Sequence, residues 1–526
     1  MGAEKNQVSE KLRGMVRGRV LTDRKTLQRC SRDQSIYEIK PLVVVLPADI
    51  EDVQKLVEFA KREKMPITPR GGGSGTAGSA LGRGLVIALP EDEFWGRISD
   101  FSADTLQARV SAGAGVYHND LQTFLKAHGF FLPADVTSAA ISRIGGNIAT
   151  RASGPHALKY GSIDRFLEHV EFITAQGEIV NTAKETTIPE RFKKKLMDLE
   201  RRIRADETAQ SILETRKGLK TASGYNLFAF LGDLDTGQQI AQLLAGSVGT
   251  LGLVTRATLR AEVFERERAA VLLYFDDLAE TGRAVSVLRD MDVAAIELIS
   301  RETIRIIGEQ TALPQHFAKD AHLLLVELIG PEQQVTIEGI TAMIRRNGYR
   351  MSAPPGIAAS GDEIENLWDV RKKILWLIEH PKPGLRALAV VNDIGVPPVR
   401  LAAFITDVEN IFARHGIMAP IYGHAGNGNL HLRPLFDTAL PDLPGRIRRL
   451  ADEVYEAVFR HGGTITAEHG MGRLRAPYLK REWGEPLYDY MREVKTIFDP
   501  GEILNPGVMF GNTPITENMR PDLLKP

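Results

Sequence analysis

The chain has 526 residues, 43% of them hydrophobic and 25% charged, with a formal net charge of −1. That length exceeds one ordinary core, so two or more domains are expected, and near-neutrality leaves no overall field to draw the chain to nucleic acid or an anionic membrane. No apolar run reaches the roughly 18 residues of a membrane helix, and Cys30, the only cysteine, excludes an internal disulfide or a four-cysteine iron–sulfur cluster within this sequence.

The opening segment, MGAEKNQVSEKLRGMVRGRV, lacks the apolar stretch of a secretory signal. It is rich in arginine, but Glu4 and Glu10 argue against a transit peptide, so a cytoplasmic protein is expected. From Pro41, LVVVLP (42–47) reads as a strand and DIEDVQKLVEFAKREK (49–64) as a helix capped by Asp49. MPITPR and LVIALP read as further strands on either side of a glycine loop. Residues 187–217 read as a charged helical insertion facing solvent. GTLGLVTRATLR (249–260) returns to a strand, and between about Val263 and Ala419 strands such as VLLYF and HLLLVEL alternate with helical stretches, which suggests a second α+β domain. The tail after Phe510 is polar and reads as extended.

Gly73, Gly75 and Gly78 satisfy the spacing of a dinucleotide fingerprint, but that pattern requires a helix directly after it. Only SALGRG separates Gly78 from the strand at Leu85, so the Rossmann reading fails on context. No Gly-Lys-Ser/Thr follows either, which excludes a Walker loop. Five glycines in residues 71–78 still allow backbone N–H groups to converge on an anion; taken alone, the loop reads equally well as a flexible surface turn. PADVTSAAISRIGGNIATRASGP (133–155) and GTLGLVT (249–255) are further small-residue segments, of the kind that lets backbone approach a large flat ligand.

IMAPIYGHAGNGNLHLRPLF (417–436) reads as two strands joined by AGNGN. A reversal there sets His424 at the end of one strand and His431 at the start of the next, side by side, which suits a divalent metal. GGTITAEHGMG (462–472) supplies Glu468 and His469 at the end of a β-like run, where neighbours point in different directions. For any one of these histidines the alternative is a hydrogen-bonded structural residue.

Six motifs in order, TPRGGGSGTAGSA, SRIGGNIATRASGPHALKYG, GTLGLVTRATL, YGHAGNGNLH, TAEHGMG and FDPGEILNPG, make the chain from about Val16 to Phe510 resemble the vanillyl-alcohol-oxidase-type flavoproteins, in the branch of D-lactate dehydrogenase and glycolate oxidase FAD subunits. The resemblance implies an α+β fold: a two-subdomain FAD-binding (PCMH-type) domain at 37–262 after a helical segment at 1–36, an α+β substrate (cap) domain with an antiparallel sheet at 263–484, and a segment at 485–526 that returns to the FAD domain. It places Arg70, Gly71, Gly72, Gly73, Ser74, Gly75 and Gly78 around the FAD pyrophosphate. Pro133, Asp135, Gly145, Gly146, Asn147 and Gly154 fall along the flavin, with Gly252, Val254 and Asn505 also on the cofactor. Residues 70–80 contain no flavin-linking histidine, so the FAD is expected to be non-covalent. The resemblance also makes His424, His431 and Glu468 metal ligands, His469 the catalytic base and Arg371 the clamp on the substrate carboxylate, with Tyr225 a weaker candidate near the substrate.

Zn²⁺ is the first expectation for the metal, with Mn²⁺ or Fe²⁺ as alternatives, because imidazole and carboxylate accept all three. The implied reaction oxidises a small D-2-hydroxy acid (D-lactate, glycolate or D-2-hydroxyglutarate) and passes electrons to an iron–sulfur subunit, an electron-transfer flavoprotein or a quinone. A homodimer is left open, and any membrane association would be peripheral, through a partner. Arg433 follows His431 by two and can recognise a second acidic group. The competing readings are a flavin enzyme acting on another alcohol or ether lipid in the same fold, and a non-catalytic FAD-bearing electron-transfer subunit.

Overall fold

The computed structural model describes residues 2–524 apart from 91, 315, 316, 318, 319, 380, 382 and 383, and the side chains from residue 6 onward. The valine run Val43–Leu46 forms a strand because its β-branched side chains pack on both faces. It pairs in parallel with Leu85–Ala88, which pairs in parallel with Ile67–Arg70. Parallel neighbours need a crossover, and the helix Ile50–Glu63 supplies part of it; the Asp49 side chain accepts from the Asp52 N–H at its start and Lys64 ends it in the left-handed conformation. Arg19–Leu21 adds an antiparallel edge strand, so the N-terminal segment completes this four-stranded sheet.

A second, antiparallel sheet orders Ile98–Ala103, Gln107–Gly113, Leu253–Val263, Leu167–Ile173 and Ile179–Asn181, with Phe130–Phe131 beside the end of Leu253–Val263. Leu253–Val263 alternates buried and half-buried positions along its length, the period-two pattern of a sheet with one face in the core. A seven-stranded antiparallel sheet follows in the order Met351–Ala358, Arg268–Phe275, His322–Ile329, Ala295–Ile299, Ile421–Gly423, Asn429–Leu432 and Ile394–Gly395. Two sheets followed by a separate antiparallel sheet with its own helices is the α+β architecture expected.

Two expectations give way. The helices Glu190–Ala205 and Glu207–Arg216 are not a solvent-facing insertion. Phe192, Leu196, Leu199 and Ile203 form a buried stripe at helical spacing, with the Phe192 ring centre 4.6 Å from that of Phe498. Their charges occupy only the opposite face, so high charge content concealed an amphipathic pair. The C-terminal tail, read as extended, instead carries a turn and a short 3-10 helix, Pro521–Leu523, and is packed down. Met519 bridges to Tyr37, the Tyr37 hydroxyl donates to the Ile515 carbonyl at 2.7 Å, and Ile515, Met519 and Leu523 are buried. No helix among the described residues is long and apolar enough to cross a membrane.

Candidate active site

A cavity of about 440 Å³ is lined by the glycine segments together with Ala387, Leu388, Ala389, Arg433, Glu468 and His469. Of the residues expected at the cofactor, Arg70, Gly71, Gly72, Gly73, Ser74, Gly75, Gly145, Gly146, Asn147, Gly252 and Val254 line it. Gly78, Pro133, Asp135, Gly154 and Asn505 are not among its lining residues. Gly78 has φ +77° and packs under Tyr37. The Asn505 amide donates to the carbonyls of Ser79 and Val248, both at 2.8 Å, and so staples the glycine loop to the third small-residue segment. Arg70, although on the wall, sends its guanidinium to the carbonyls of Arg32 at 2.8 Å and Ala80 at 3.2 Å. It fixes the loop from behind.

The loop has the properties of an anion cradle. Among the described residues the backbone N–H groups of Gly72 to Thr76 donate to no protein acceptor, and such donors must be met by water or a ligand. A Cβ on Gly72 would lie 1.9 Å from the Ile141 carbonyl oxygen, so only glycine lets the two segments close up. A Cβ on Gly146, by contrast, would meet nothing within 4 Å. That space belongs to the cavity, and a flat ring can occupy it.

The seven-stranded sheet delivers His424 and His431, which do not line the cavity themselves but stand beside Glu468, which does. Tyr422 pairs with His431 across Ile421–Gly423 and Asn429–Leu432, and the short turn Ala425–Asn427 joins these strands, so the imidazoles of His424 and His431 stand 5.1 Å apart. Both Nε2 atoms face one oxygen, Glu468 Oε1, at 3.1 Å from His424 and 3.5 Å from His431, and His469 Nε2 approaches the same oxygen at 3.6 Å. Ligand atoms about 2.0–2.1 Å from a tetrahedral zinc lie about 3.4 Å apart, which is the scale of these separations. The Nδ1 atoms are already occupied: that of His424 lies 2.6 Å from Glu297 Oε1, and that of His431 lies 2.9 Å from the Asn392 carbonyl. Metal-binding imidazoles are oriented by such outer partners. Asp393, His431, Glu468 and His469 offer ligand atoms all within 4.8 Å of one another, and this group can hold a metal ion.

Glu468 and His469 do not diverge as neighbours on a strand would. TITAEHG carries no regular strand; a single bridge joins Thr464 to Gly395. Asp393 replaces the ladder. Its Oδ2 accepts from the backbone N–H of Glu468 at 3.1 Å, that of His469 at 2.8 Å and the Thr466 hydroxyl at 2.7 Å, while Oδ1 accepts from Asn429 at 3.1 Å. With so many donors Asp393 organises the loop and turns both side chains toward one centre. Glu468 Oε2 is held by the Lys220 ammonium at 2.6 Å and the Ser153 hydroxyl at 3.4 Å, which leaves Oε1 for the imidazoles.

The electrostatics separate the three rings. Burial lowers the pKa of His431, to about 3, and outweighs its acidic neighbours. Burial likewise lowers that of His469 against Asp393 and Glu468. Both are therefore neutral at physiological pH and carry free lone pairs. Burial also opposes charge on His424, but Glu297 and Glu468 on its two sides raise its pKa. Burial pushes Glu297 up, and Arg371 and His424 outweigh it, bringing the carboxyl down to about 2. Glu468 is held well below the usual carboxylate range, its burial outweighed by His424 and Lys220.

Arg371 is buried on the helix Gly361–Ile378 and is not among the cavity's lining residues. Its Nε donates to Glu297 at 2.6 Å and its guanidinium lies 4.9 Å from the Tyr422 ring centre, while Nη2 has no partner among the described residues. Tyr225 is buried, with its hydroxyl on Thr250 at 2.7 Å, away from the cavity wall. Glu297, Asp393 and Lys220 were missed from the sequence. The first two carried a signal, a lone acid inside the apolar runs AAIELIS and VVNDIGV, where a charge is costly unless it is paired.

Residues 41–183 match an FAD binding domain and residues 265–509 match the C-terminal domain of FAD linked oxidases. The D-2-hydroxyglutarate dehydrogenase of Pantoea ananatis is 28% identical over 504 residues, covering 91% of this chain; the chain spans only 48% of that protein's length. The glycolate oxidase subunit GlcD of Bacillus subtilis is 27% identical over 480 residues, covering 90% of each chain. Among solved structures, 4-ethylphenol oxidase from Gulosibacter chungangensis aligns over 97% of both chains with a TM-score of 0.69 at 16% identity, a likeness of fold.

Proposed function

The chain belongs to the FAD-linked oxidases, and from that premise we propose that it oxidises a small D-2-hydroxy acid to the 2-oxo acid, with non-covalent FAD and a divalent metal, Zn²⁺ first and Mn²⁺ or Fe²⁺ as alternatives. The observation that carries the reading is the convergence of three imidazole Nε2 atoms within 3.6 Å of one oxygen of Glu468, which with His469 lines the same cavity as the glycine cradle. The names of the relatives above, a 2-hydroxyglutarate dehydrogenase and a glycolate oxidase subunit, support the substrate class.

Gly72 to Thr76 would receive the pyrophosphate on backbone N–H groups, and the clearance at Gly146 would admit the flavin ring. When bound, FAD supplies a two-electron acceptor that takes the C2 hydrogen as hydride. His424, His431 and Glu468 would hold the cation, which lowers the pKa of a hydroxyl bound to it. His469, neutral and 29% exposed on its side chain, takes the hydroxyl proton at Nε2, while Asp393, 3.7 Å from Nδ1, favours the positive charge the ring then carries. Glu297 and Lys220 keep His424 and Glu468 in place. The two electrons leave for an iron–sulfur subunit, an electron-transfer flavoprotein or a quinone.

Anaerobic mixing of the purified holoenzyme with D- and L-lactate, D- and L-2-hydroxyglutarate and glycolate tests the reading by flavin absorbance. At least one D acid, or glycolate, bleaches the flavin, and the L enantiomers do so at least 100-fold more slowly. A flavin that no acid in the panel reduces would falsify the proposal.

A further inference from the structure

Most cations near the reaction centre are balanced by protein groups. Lys220 faces Glu468, and Arg371 faces Glu297. Arg433 is the exception. It follows the strand Asn429–Leu432, where its backbone N–H extends the ladder to the Pro420 carbonyl at 3.0 Å. Lying two residues beyond His431, it falls on the same side of the strand. Arg433 is only 5% exposed and lines the cavity together with Glu468 and His469. Nε and Nη1 of its guanidinium are fully buried with no hydrogen-bond partner among the described residues. Neither nearby carboxylate is free to serve it: Glu468 is taken by Lys220 and His424, and Asp393 by the donors of the 466–469 loop.

A buried guanidinium without a counter-ion destabilises the protein that carries it, and an anion arriving from outside the chain would balance it. From this geometry we infer that Arg433 is the receptor for the substrate's carboxylate. The assignment rests on the reading of the cavity as a 2-hydroxy acid site. In such an acid the carboxylate is bonded directly to the carbon that bears the hydroxyl. The receptor must therefore lie near the group that takes the hydroxyl proton, and Arg433 lines the same cavity as His469, whose ring feels its charge. A guanidinium fork matches the two carboxylate oxygens, which an ammonium does only as a point charge.

The test compares the FAD-loaded protein with Arg433→Met and Arg433→Lys by three measurements: cofactor content with thermal midpoint, oxalate titration followed by perturbation of the flavin spectrum, and kcat and KM for whichever acid reduces the flavin. Arg433→Met keeps its FAD and melts no lower than the parent, because it removes an unpaired charge. It binds oxalate at least tenfold more weakly and raises KM about 100-fold, and Arg433→Lys recovers part of both losses. Loss of FAD or a lower melting point in Arg433→Met would overturn the inference by giving the residue a cofactor or structural role. Unchanged oxalate affinity in that variant, or no oxalate binding by the parent, would overturn it as well. If no hydroxy acid reduces the parent's flavin, the oxidation reading fails, and the oxalate titration alone decides the receptor.

Discussion

A methyl group at residue 146 would touch no protein atom within 4 Å, which makes Gly146→Ala a probe of the cofactor rather than of the fold. The residue lies in the short helix Ile144–Ala149, where alanine is intrinsically favoured over glycine by about 1 kcal/mol. The cofactor-free variant should melt at or above the parent temperature, and its FAD affinity should fall at least tenfold by fluorescence titration. Normal FAD affinity would place the flavin elsewhere. Much of this cradle was legible, because runs of glycine and small residues are unusual and have few physical uses. The partners behind the histidines were not. Glu297 is 127 positions from the His424 it orients and Lys220 is 248 from Glu468, and nothing local in a sequence records which distant side chain will occupy an imidazole Nδ1.

At the scale of elements, sequence pattern served best where backbone pairs with backbone. The strands at 43–46, 67–70 and 85–88 and the hairpin around residues 421–432 fall where periodicity set them. The run TITAE failed as a strand because the Asp393 side chain accepts the N–H bonds that a neighbouring strand would have taken. A second such tie joins the two halves. His156, from the segment SGPHALKYG, places Nδ1 2.6 Å from Asp135 and Nε2 2.5 Å from Glu327 on the large sheet, with Arg268 also on Glu327 at 2.6 Å. Burial opposes charge on His156, but the two carboxylates outweigh it and raise its pKa from 6.5 to about 10. A raised folded-state pKa gives stability that is complete below the unfolded value and fades as pH climbs through the folded one. This tie therefore weakens between about pH 6.5 and about pH 10. His156→Ala should cost about 3 kcal/mol in urea unfolding at pH 6, and the cost should shrink toward pH 10. An equal loss at both pH values would show that the ring acts by packing, not by charge.

Across the whole molecule, one apolar cluster runs from Ile36 and Val110 of the cofactor-binding half to Leu298, Leu430 and Met471 near the histidines. The cavity therefore lies between two bodies that share a core, which lets distant stretches meet with little slack. The α+β class and the antiparallel sheet of the C-terminal half followed from motif order. The seating of Phe192 to Ile203 against Phe498 did not, because a charged face masked the buried stripe. In the proposed reaction the architecture acts through a metal held by the histidines. The most direct measurement is the rate of anaerobic flavin reduction by the reactive hydroxy acid on one preparation, before chelation, after it, and after adding back Zn²⁺, Mn²⁺ or Fe²⁺. The stripped protein is expected to keep its FAD, to lose reduction by about 100-fold or more, and to regain it with at least one of the three ions. A metal-free preparation that reduces its flavin at the original rate would contradict that role for the metal.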